Sequence, residues 1–172
     1  MRLSRKSIRL PEYDYSLAGM YFITVSSHQM RPIFGSINNH SISLSKIGKI
    51  VKAEWERTAL LRPYVKLDDY VIMPNHFHGI IALNHRTDTA RRVHTKEEFS
   101  SPAKGSIPTI IRAFKSAVTK AVHQAGLLVG EPVWRQRFYE HVIRNEKDLE
   151  RIREYIIRNP ENWDSVKQGT TG

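Results

Sequence analysis

The stretch Met73-Pro74-Asn75-His76-Phe77-His78-Gly79-Ile80-Ile81 constrains the fold more than any other part of the chain. Pro74-Asn75 is a turn signal, and an apolar run follows it. Read as a strand, the segment sends His76 and His78 to one face and Phe77 to the other. One face then carries two imidazoles while the other is anchored in a core. Such a pair suits a divalent cation held on a sheet. The plainer alternative is two histidines on the polar side of an amphipathic strand.

The surrounding pattern is mixed. Met20 to Ser26 is aromatic and β-branched, as buried strands are. Ile33 to Ile37 and Ser41 to Leu44 flank Asn38-Asn39, which tolerate turn conformations, and predict a hairpin. Ser45 is a good N-cap for a helix to about Leu61, with Ile47, Ile50, Val51, Trp55 and Leu61 near one stripe. Val65 to Met73 and His76 to Leu83 predict an antiparallel strand pair. Pro108 starts a helix to about Gln124. Val133 to Ile143 is aromatic-rich and extended. Glu146 to Arg158 predicts a last helix stopped by Pro160. Strands and helices mix without strict βαβ alternation, which predicts an α+β fold with helices mainly on one face of an antiparallel sheet.

With 172 residues the chain suits one domain. The expected organisation is a basic arm over 1–18, one domain over 19–163 containing a mobile loop near 84–106, and a tail over 164–172. The formal charge of +10 points to a polyanionic partner, most simply nucleic acid. The absence of cysteine excludes disulfides, thiolate metal sites and a cysteine nucleophile. No secretory h-region or apolar run long enough to cross a bilayer is visible, so a cytoplasmic protein with no membrane partner is expected.

The C-terminal helix supplies a second group of interest. Ile152, Tyr155, Ile156 and Asn159 fall at i, i+3, i+4 and i+7 and share one side. A phenol and an amide would thus face the sheet together. A core tyrosine with a satisfied hydroxyl, and an asparagine serving as C-cap before proline, are the ordinary readings of these positions.

Four blocks in order change that weight: GMYFITVS, YVIMPNHFHGII, VWRQRFYEHVIRNEKDL and REYIIRNPENW. Together they resemble the single-tyrosine HUH transposases, above all the branch of REP-associated tyrosine transposases. The resemblance runs from about Gly19 to Trp163. It implies a ferredoxin-like sandwich, with His76 and His78 as metal-binding and catalytic residues, Tyr155 as nucleophile and Asn159 as a third metal ligand. It further implies cutting and rejoining of single-stranded DNA through a 5′-phosphotyrosine, with no small-molecule cofactor and a monomer or homodimer as the assembly; the mixed nitrogen and oxygen ligation suggests Mg²⁺ or Mn²⁺, while imidazole favours softer ions. A free phenol ionises near pH 10, so a metal or a base must help it, and His141 in the matching block is a candidate accessory group.

Hairpin and single-stranded DNA would use the positive charge broadly. Arg2, Arg5, Lys6 and Arg9 are candidates on the arm, Arg91, Arg92 and Lys96 on the long loop, Arg112, Lys115 and Lys120 on a helix, and Arg135 and Arg137 on the extended segment. Trp134, Phe138 and Tyr139 could stack unpaired bases or serve as sheet core. A non-catalytic DNA-binding protein with the same fold is the alternative function. A metallohydrolase of the HxHxDH type would need Asp and His just downstream, where Gly79, Ile80 and Ile81 stand.

Overall fold

The structure, a computed structural model, describes residues 14–84 and 104–168, the last five by backbone alone. The candidates Arg2, Arg5, Lys6, Arg9, Arg91, Arg92 and Lys96 lie outside the described residues. Six strands and three α-helices follow in the order β1 (Gly19–Ser26), β2 (Gly35–Asn38), β3 (Ser41–Leu44), α1 (Lys46–Leu60), β4 (Val65–Ile72), β5 (His76–Leu83), α2 (Ile107–Gln124), β6 (Tyr139–Ile143) and α3 (Glu146–Gln168). The main sheet has the order β4-β5-β1-β6 and every neighbour is antiparallel. Leaving out the β2–β3 hairpin, the chain reads β1-α1-β4-β5-α2-β6. That is the ferredoxin-like α+β sandwich, with a hairpin inserted after β1.

Alternation along the two central strands sorts the side chains. Tyr21, Ile23 and Val25 of β1 and Phe77 and Ile81 of β5 join one core with Trp55 of α1 and Ile111, Phe114 and Val118 of α2. Phe22 of β1 and Ile80 of β5 point the other way and pack with Leu149, Ile152 and Ile156 of α3. Two helices therefore cover one face and α3 the opposite one. Both faces of β1 and β5 are closed to water, which is why these strands read as near-continuous apolar runs rather than clean alternation.

Local chemistry sets the element ends. The Ser45 hydroxyl accepts from the Gly48 N–H at 3.1 Å and donates to the Ile33 carbonyl at 2.7 Å, capping α1 and tying it to the chain before β2. The first turn of α1 lies against the Phe34 backbone, and a Cβ on Gly48 would stand 1.9 Å from the Phe34 carbonyl oxygen. Gly48→Ala is therefore expected to destabilise the fold by about 2 kcal/mol, because backbone must move where side chains alone cannot yield. A melting curve within one degree of the parent would contradict this.

Two expectations need correction. The hairpin turn sits one residue later than predicted, at Asn39-His40, both with positive φ (48° and 60°). This is the turn geometry whose twist matches paired strands. Pro160 does not stop the last helix, which continues through it to Gln168. Proline inside a helix removes one hydrogen bond and costs about 3 kcal/mol. Here Trp163, one turn beyond, packs against the α3-side core and offsets that loss.

Candidate active site

His76 and His78 lie on the face of β5 that α3 covers, so the imidazoles are not on an open sheet surface. His78 is only 5% exposed. Its ring stacks on Phe22 with centroids 5.3 Å apart and sits 4.6 Å from the ring of His76. Burial pushes the His78 imidazole down to about 3, and the neighbouring His76 acts in the same direction. Burial also lowers His76, opposed by a hydrogen bond with Asn159. Both rings are therefore neutral near pH 7, the form that offers a lone pair to a cation.

Hydrogen bonds orient both rings. His76 Nδ1 lies 2.6 Å from Asn75 Oδ1, an acceptor. When Nδ1–H donates to Asn75, Nε2 of His76 is the nitrogen that keeps a lone pair. His78 Nδ1 lies 2.8 Å from Thr24 Oγ1 on the adjacent strand, where the register places Thr24 opposite His78. When Nδ1–H donates to Thr24, Nε2 of His78 is left as an acceptor. That Nε2 lies 3.3 Å from the hydroxyl of Tyr155, 77 residues further along the chain.

Tyr155 comes from α3, a half-exposed side chain at 48%. Its ring stands edge-on to Phe22 at 6.0 Å. Asn159, one turn later, is buried and reaches His76. The helix itself is anchored by Arg153, whose Nε and Nη2 donate to both carboxylate oxygens of Asp68 at 2.9 and 2.6 Å. Asp68 sits at the register irregularity of β4, and the Arg153 hydrogen bonds hold its carboxyl below the usual range. This fork pins α3 over the histidines.

The structure thus brings His76, His78, Tyr155 and Asn159 together. Among the described residues no group of three His, Cys, Asp or Glu side chains is placed to hold a metal. The donor set is instead two neutral imidazoles and an amide. That set fits a divalent cation: the lone pairs are available, and the amide can supply an oxygen.

His141 does not stand alone beside Tyr155. Its Nε2 is 2.9 Å from Asp148 Oδ2, and Arg151 Nη2 is 2.6 Å from the other oxygen of Asp148. The basic candidates are scattered. Arg112, Lys120, Arg135 and Arg137 are exposed. Lys115 is committed elsewhere: its ammonium donates to the carbonyls of Arg135 and Gln136 at 2.7 and 3.1 Å, latching α2 to the segment before β6. Trp134 is 7% exposed and belongs to the core, as does most of Phe138. Neither is free to stack a base, whereas Tyr139 is 43% exposed.

Thr24, Asp68, Asp148 and Arg151 carry no functional signal of their own along the chain, and Asn75 reads there only as part of a turn. Thr24 carries no motif of its own, and its place opposite His78 exists only through strand pairing.

No family model matches the chain. An uncharacterised protein of Haemophilus influenzae is 37% identical over 164 residues, covering 93% of this chain and 90% of the relative. A REP-associated tyrosine transposase of Escherichia coli K12 is 30% identical over 107 residues, covering 62% of this chain and 50% of that protein. A solved REP-associated tyrosine transposase bound to a REP hairpin aligns with a TM-score of 0.56 at 23% identity, covering 94% of this chain and 74% of the other. No helix among the described residues is long and apolar enough to cross a membrane.

Proposed function

Because the chain belongs to the family of REP-associated tyrosine transposases, we propose that it binds hairpin-forming DNA and cuts and rejoins an adjacent single strand through Tyr155. The observation that carries this reading is the convergence of the Tyr155 hydroxyl, 3.3 Å from His78 Nε2, with His76 and Asn159 on the same face. A core tyrosine would not be half exposed beside two neutral imidazoles.

The chemistry is an in-line exchange. The Tyr155 oxygen forms a bond to phosphorus as the bond to the 3′-oxygen breaks. The phenol proton departs, and the leaving oxygen keeps the bonding pair and takes up a proton. His78 Nε2, 3.3 Å from the hydroxyl, holds the phenol beside the site, and the phenol proton leaves to water, because that same lone pair would hold the cation. The phosphodiester energy stays in the 5′-phosphotyrosine, so another 3′-hydroxyl can reverse the step without ATP. His76, His78 and Asn159 would hold Mg²⁺ or Mn²⁺, which when bound would neutralise phosphate charge. Phe22 and the α3 core hold the phenol edge-on to its partners and keep one side of the site dry.

Incubation with single-stranded DNA carrying a hairpin, with Mn²⁺, should yield a slow-migrating covalent species on a denaturing gel. Binding without any such species under Mg²⁺ or Mn²⁺ would reduce the protein to a DNA-binding fold. The orienting role of Thr24 has its own readout. Thr24→Val keeps the shape and removes the hydroxyl, and should weaken Mn²⁺ binding about tenfold or more by calorimetry. Unchanged affinity would mean that the ring is oriented by packing on Phe22 alone.

A further inference from the structure

A cleft of about 480 Å³ opens on the β6 side of Tyr155. Its walls are Phe22, Thr24 and His78 from the sheet, Tyr139 and His141 from β6, and Arg151, Ile152 and Tyr155 from α3. The strand register explains the gathering. Thr24 pairs with His78 on one side and Tyr139 on the other, and Phe22 pairs with His141, so all point to the α3 face. β6 is the edge of the sheet, so the cleft is open to a strand entering from outside.

We infer that this cleft is a subsite for one unpaired DNA nucleotide next to the phosphate that Tyr155 attacks, with Tyr139 as the face on which its base stacks. The inference rests on the function proposed above for the chemistry at Tyr155, but its test requires no cleavage. The cleft falls within the size range of small-ligand pockets. Its composition matches a nucleotide: an apolar floor of Phe22 and Ile152, a partly exposed phenol ring on the wall, and the Arg151 guanidinium at the mouth.

Asp148 organises that mouth. Its two oxygens receive His141 Nε2 at 2.9 Å and Arg151 Nη2 at 2.6 Å. One carboxylate therefore fixes an imidazole from β6 and a guanidinium from α3 on the same rim. Arg151 remains 70% exposed, and among the described contacts it engages Asp148 through Nη2 alone. Its remaining N–H groups are left for a phosphate, the anion that a guanidinium fork suits best. An isolated surface pair would not need a histidine on the other oxygen. Here the pairing holds the arginine beside the cleft rather than letting it range through solvent.

The test uses the full chain and a DNA hairpin with a single-stranded extension, without added metal. Each unpaired position is replaced in turn by an abasic residue, and binding is measured with the parent protein and with Tyr139→Ala. At one position the abasic change should weaken binding to the parent about tenfold, and should cost almost nothing further in Tyr139→Ala. Tyr139→Phe should bind like the parent, since stacking needs the ring and not the hydroxyl. Losses that multiply at every position, or full-strength binding by Tyr139→Ala, would overturn the subsite. If Tyr139→Ala does not fold, the exposed Arg151→Gln decides: the salt dependence should fall by about 0.7 of a log unit per log unit. An unchanged salt slope would remove the phosphate contact and the subsite with it. Coupling at one position with no covalent species under Mn²⁺ would retain the subsite and reject Tyr155 as nucleophile. A covalent species without coupling would do the reverse.

Discussion

Tyr155→Phe should abolish the covalent protein–DNA species while hairpin binding and folding stay at the parent level. The substitution removes one oxygen and nothing else. The ring keeps its edge-on contact with Phe22 at 6.0 Å and with His78 at 5.2 Å, so the position of α3 is unchanged. The lost hydrogen bond is long, at 3.3 Å, and the side chain is half exposed, so stability should change by less than about 1 kcal/mol. Removing a covalent nucleophile, in contrast, costs on the order of 10⁴-fold or more. A denaturing gel separates the two effects, with a melting curve and a hairpin-binding isotherm as controls. A covalent species that persists in Tyr155→Phe would place the nucleophile elsewhere.

The second large effect is expected at the histidines. His76→Ala should eliminate metal-dependent cleavage and weaken Mn²⁺ binding by at least about 100-fold, since loss of even an outer-shell partner costs 10- to 100-fold. His76 is the cleaner site to change. His78 is 5% exposed and stacked on Phe22, so His78→Ala also opens a cavity in the α3-side core and should lower the melting temperature. Calorimetry with Mn²⁺ and the adduct gel, run on both variants, distinguish loss of a ligand from loss of the fold. Full cleavage in EDTA, or undiminished Mn²⁺ affinity in His76→Ala, would refute the metal role.

Much of this site was legible because local spacing fixes direction. A strand repeats every second residue, so His76 and His78 had to share a face and Phe77 had to leave it. A helix returns every three or four residues, so Tyr155 and Asn159 had to be neighbours. Ser45 as a cap and the antiparallel pairing across Pro74-Asn75 were legible for the same reason: each is decided within a few residues. Pro160 shows where that logic ends. Its local effect is to break a helix, yet the segment stays helical because Trp163 has a core to join.

The basic residues were legible in number but not in employment. Lys115 resembles any other cation on the outer stripe of α2. Only the approach of the Arg135–Gln136 backbone turns it into a latch. Trp134, Phe138 and Tyr139 likewise look alike along the chain, and tertiary packing buries the first while leaving the third open.

What the sequence determined by itself was the set of local directions: which side chains share a face of each strand and helix, and hence which pairs could act together. What only the tertiary structure decided was which faces meet. The imidazole face lies under α3 rather than in water, β6 lies beside β1, and Asp68 at an irregularity of β4 holds Arg153. The physical reason is that directions follow from periods of two and 3.6 residues, whereas meetings follow from burying both faces of one sheet at once. That closure joins Tyr155 to His78 across 77 residues, a distance over which no local pattern carries information.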